Sequence, residues 1–81
     1  EIKSLCLFLI KEIYGDYAAS AEIFVDVDGL WILFLRDKKC VYLVGESIKE
    51  IYDVLLEEYE GYVLYSISVR DQNQFSSIEL N

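Results

Sequence analysis

The chain has 81 residues, 54% of them hydrophobic, with no proline and no histidine, and fifteen acids against seven bases leave a formal charge of −8. That length holds one domain with a small core. The charge argues against direct binding of nucleic acid, whose phosphates call for clustered Lys and Arg, and against an anionic membrane surface, while leaving a basic protein surface or a cation open.

In chain order, residues 1–14 are expected to form a helix. Ile2, Leu5, Cys6, Leu9 and Ile13 recur at helical spacing, and Gly15 supplies a stop. A strand over residues 5–10 competes, because Leu7, Phe8 and Ile10 make the run apolar almost all round. The run Leu5–Ile10 is too short for a membrane span, which takes about 20 residues. It also lacks the basic leader of a signal peptide. Cys6 and Cys40 are expected as small buried hydrophobes; their pairing cannot be read from the sequence. Sparse, unpatterned cysteines favour a reducing compartment, and a cytoplasmic protein is expected.

Asp28-Gly29 has the composition of a two-residue type I′ turn. That turn pairs Val27 with Leu30, Val25 with Ile32 and Ile23 with Phe34, and makes this wholly apolar face the core. The other face then carries Phe24, Trp31, Leu33, Leu35, Cys40, Tyr42 and Val44. A turn at Asp37-Lys38-Lys39 leads to a third strand, 40–44. If both helices lie on the opposite side, the Trp31 face is exposed and suits self-association into a homodimer. If one helix covers each side, it is ordinary core.

Gly45 precedes an acidic helix that begins at Glu46 or Ser47 and is expected to end at Gly61. Residues 62–70 alternate, with Val63, Tyr65, Ile67 and Val69 on one side, and are expected as a fourth strand. Residues 71–81 read as a polar tail, loosely docked on a single domain spanning 1–70. The expected fold is a compact α+β domain: helix, three-strand antiparallel meander, helix and strand, giving a four-stranded sheet with two helices.

The loudest chemical feature is a row of carboxylates on the second helix. Glu46, Glu50, Asp53, Glu57 and Glu60 follow at steps of four, three, four and three, so all five point the same way. Apolar Ile48, Ile51, Tyr52, Leu55 and Tyr59 point the opposite way. A solvated face is the plain reading. Against it, like charges at these spacings cost a few tenths of a kcal/mol per pair. Only Lys49 lies within the helix to offset them, and Glu57, Glu58 and Glu60 oppose the helix dipole.

Other motifs fall away. Ile23-Phe24-Val25-Asp26-Val27-Asp28-Gly29 resembles the first motif of haloacid-dehalogenase-type phosphatases, which implies Asp26 as nucleophile and Asp28 as general acid/base. Leu30 stands where that family usually has threonine, and the family's parallel sheet does not fit a chain whose next strand follows at once. Read as an EF-hand loop from Asp26, position 5 is Leu30 and position 12 is Asp37, so the ligand set fails. The helix, meander, helix order is that of double-stranded RNA-binding domains, whose binding surface is basic where this one is acidic.

No catalytic residue, cofactor or metal site is expected: without histidine, Ser-His and Cys-His activation are excluded, and zinc lacks its donors. The expected function is a non-enzymatic acidic protein-binding module. It would dock on the basic surface of a partner such as a nucleic-acid-binding protein. In size, charge and mixed topology the chain is similar to small acidic phage-encoded inhibitors, including anti-CRISPR proteins. The alternative is an assembly domain that self-associates through the Trp31 face.

Overall fold

Three stretches of β-branched and aromatic residues, separated by turn-forming clusters, pair into a meander that two helices cover from one side. A computed structural model describes the backbone of residues 1–80 and the side chains of residues 1–70. The order is α1 (Ile2–Tyr14), β1 (Ala21–Val25), β2 (Trp31–Leu35), β3 (Cys40–Gly45) and α2 (Ile48–Leu80), with short 3-10 turns at Gly15–Ala18 and Arg36–Lys38. Among the described residues the sheet has three strands in the order β1-β2-β3, both pairings antiparallel. The protein is a compact α+β domain with two helices.

α1 forms as its periodicity predicts and stops at Gly15, whose φ of 58° suits a residue without Cβ. Its buried face is Cys6, Leu9 and Ile10, whereas Ile2 and Leu5 are exposed. These residues pack with Ala18, Ile23, Leu33, Leu35, Ile51 and Leu55 in one core. Each fully buried leucine or isoleucine in it contributes about 1.5–3 kcal/mol.

The hairpin differs from the expected register by one residue. Val25 pairs with Trp31, Phe24 with Ile32 and Ile23 with Leu33. The cause lies in Asp26. Its Oδ1 accepts the backbone N–H groups of Asp28 and Leu30, both at 2.9 Å. Its carbonyl accepts the N–H of Gly29, which takes φ 83°. This is a three-residue loop with an αL glycine, longer by one than a type I′ turn. A one-residue slip exchanges the faces. Leu33 and Leu35 are therefore fully buried under the helices, and Trp31 packs against the core. Phe24, Val41 and Val44 are exposed on the uncovered side, where the Phe24 and Phe34 rings meet edge to face. Leu33, Leu35 and Trp31 thus do not form an open face, while Phe24 stays on it. Tyr42 sits at a bulge opposite Leu33 and Phe34 and is half-buried against the core.

The second correction concerns residues 62–70, which are helix and not a fourth strand. Gly61 keeps a negative φ and α2 runs through it. Once a helix is nucleated, each added residue gains a hydrogen bond. The half-buried residues Tyr59, Val63, Ser66 and Val69 also fall at helical steps. None of the described side chains beyond Tyr59 joins the core. Gly61, two serines, two tyrosines and three β-branched residues make 61–70 a poor helix in isolation, by roughly 4 kcal/mol relative to alanine. Docking of the 71–81 tail lies outside the described residues, although the bounds of α2 reach Leu80.

Candidate functional site

The acidic row lies on the side of α2 opposite its buried residues Ile51 and Leu55, so the core fixes where the carboxylates point. Glu46, Glu50, Asp53, Glu57 and Glu60 are all exposed. They are not equivalent. Glu46 precedes the first helical residue, Ile48. Its backbone N–H donates to Glu50 Oε2 at 2.5 Å, while Ser47 Oγ accepts the Glu50 N–H at 3.3 Å. Together the two bonds occupy the Glu50 carboxylate and the Ser47 hydroxyl in starting the helix. Asp53 is paired with Lys49 at 3.0 Å, one turn earlier. Both partners are exposed, so the pair contributes little to stability. Glu57 and Glu60 make no hydrogen bond or ion pair among the described residues.

A sixth acid, Glu58, turns the other way and was not singled out by the sequence pattern. Its Oε2 accepts the Tyr42 hydroxyl at 2.7 Å and lies 3.3 Å from the Tyr14 hydroxyl. The two hydroxyls are 2.5 Å apart. Glu58 falls three residues after buried Leu55, on the core side of the helix wheel, and that position was the available signal. Burial first, then the hydrogen bonds with Tyr14 and Glu58 and the nearby negative charge, push the Tyr42 hydroxyl well above the ordinary tyrosine range. The cluster ties α1, β3 and α2 together.

Beyond the acidic row, Tyr59, Glu60, Val63 and Leu64 border an open apolar groove of about 370 Å³. Leu64 at its edge is 69% exposed, and Tyr65 on the other side of the helix is 70% exposed. Among the described residues, no cluster of three His, Cys, Asp or Glu could hold a metal ion, and no helix is long and apolar enough to cross a membrane.

No family model, curated protein or solved structure matches the chain. Its own residues therefore carry the functional reading. What they assemble is a charged surface and two apolar ones: the carboxylate row, the uncovered sheet side around Phe24, and the far half of α2.

Proposed function

We propose that the protein is a non-enzymatic binding module whose acidic row on α2 docks on the basic surface of a partner protein. The observation that supports this most is that four carboxylates stand exposed along one helix face, with a fifth, Glu46, exposed just before it and one lysine beside them. Their steps of three and four residues give about one charge per 5 Å of helix axis. A single DNA strand carries one per 3.4 Å. In its sharpest form the row stands in for phosphates and blocks a nucleic-acid-binding groove, with long-range attraction speeding the encounter.

The test leaves the helix cap intact. Asp53→Lys combined with Glu57→Lys reverses the middle of the row without touching Glu50. Capture of a basic partner from source-cell extract should fall at least tenfold in this variant. It should also weaken as salt rises and be competed by duplex DNA. Capture unchanged by the reversal at low salt rules the reading out.

A second reading has its own observation: with both helices on one side, Phe24, Val41 and Val44 leave the other sheet side apolar and open. An assembly domain would use that face, and Phe24→Lys would abolish its association.

A further inference from the structure

We infer that two copies of the chain pair antiparallel through the far half of α2, along a seam of Glu60, Val63, Ile67 and Arg70. The starting point is a run of nine uncharged residues, Gly61 to Val69, in a chain of charge −8. On the seam's side of the helix it offers exposed Ile67 and half-buried Val63, with Tyr62 and Tyr65 on the other side, and none of the run packs on the core. An isolated helix of such residues is marginal in water and gains its stability from a covering partner.

The seam identifies the partner. Its steps are three, four and three, the spacing of a helix-pairing stripe, and they read the same in either direction about Tyr65. Laying a second copy antiparallel about that point sets Glu60 against Arg70 of the second copy and Val63 against its Ile67. The two-fold repeats both pairings, as an isologous contact requires. Both ends of the seam are exposed and of opposite sign, with only apolar and small residues between them. A parallel arrangement would set Glu60 against Glu60 and is disfavoured. The groove bordered by Tyr59, Glu60, Val63 and Leu64 lies where Ile67 and the aliphatic stem of Arg70 arrive from the second copy. The inference shares Glu60 with the acidic row and does not depend on that row's partner.

Sedimentation equilibrium of the whole chain over a range of concentrations tests it, with helix content followed by circular dichroism as a check on folding. The wild type should reach twice the chain mass. Glu60→Arg and Arg70→Glu each turn two attractive contacts into two repulsive ones and should weaken the dimer about tenfold. The double variant E60R/R70E should restore it to within about threefold. Phe24→Lys should leave the dimer unchanged. A monomer at every concentration overturns the inference, as does a dimer indifferent to the single reversals or not rescued by the double one. A dimer broken by Phe24→Lys places the contact on the sheet and also overturns it. So does a monomer that co-floats with phosphatidylcholine vesicles, since the apolar run would then cover itself with lipid.

Discussion

Tyr42 donates its hydroxyl to Glu58 at 2.7 Å, joining the bulged edge strand to the long helix, with Tyr14 of the first helix 2.5 Å from the same hydroxyl. Tyr42→Phe removes the central member and leaves Tyr14 facing Glu58 across 3.3 Å. A net cost of about 1 kcal/mol is expected. In a domain of this size that lowers Tm by about 4–8 °C, read from thermal unfolding.

The same residue gives a pH dependence. The folded chain holds the Tyr42 proton above the ordinary tyrosine pKa, so the unfolded chain releases it first, near pH 10. Above that point the unfolded state binds fewer protons and stability declines with rising pH; below it the contribution is intact. Denaturant unfolding of wild type and Tyr42→Phe from pH 8 to 11 should show a shallower alkaline decline in the variant. Equal slopes would exclude Tyr42 as the source.

Substitutions on the two sheet sides test the register. Leu33→Ala empties a fully buried position and should cost about 2–5 kcal/mol. Phe24→Ala removes a larger ring from the open side and should cost well under half as much. The register set by a two-residue Asp28-Gly29 turn puts both residues on one sheet side and predicts costs of similar size, so chemical denaturation of the two variants separates the registers.

Two glycines should answer alanine with opposite signs. Gly61 lies inside α2 at a negative φ with open space where a Cβ would go, so Gly61→Ala should stabilise by about 1 kcal/mol. Gly29 holds φ 83° in the hairpin loop, and Gly29→Ala should destabilise by about 1–2 kcal/mol. Destabilisation by Gly61→Ala would mean that the helix ends there.

The thiols should separate by access. Cys40 is exposed and Cys6 fully buried, and neither is in a disulfide. An aromatic disulfide reagent should therefore titrate one thiol quickly and the second only upon unfolding. Burial also pushes the Cys6 thiol up, which adds to its inertness.

The first helix, the meander and the acidic face were legible because each rests on a local rule: helical spacing ended by glycine, β-branched runs between turn residues, and carboxylates opposite Ile51 and Leu55. The sheet register was not, because the Asp26 side chain captures two backbone N–H groups and lengthens a loop that its Asp-Gly dipeptide alone would keep short. Residues 62–70 were misread because Val63, Tyr65, Ile67 and Val69 satisfy a period of two, while Tyr59, Val63, Ser66 and Val69 also fit a helix. Glycine permits a helix to stop without compelling it. The inward turn of Glu58 depended on two tyrosines brought from distant segments, which no local pattern encodes.

The residue that the longer hairpin loop absorbs is Val27, which is 101% exposed. Asp26 would still face Leu30 across a bare Asp28-Gly29 turn if Val27 were deleted, so both strands would keep their partners and sides. The tip is thus a splice point. A fluorophore, an affinity tag or a grafted peptide placed there would sit away from the core and would leave every element of the fold in step.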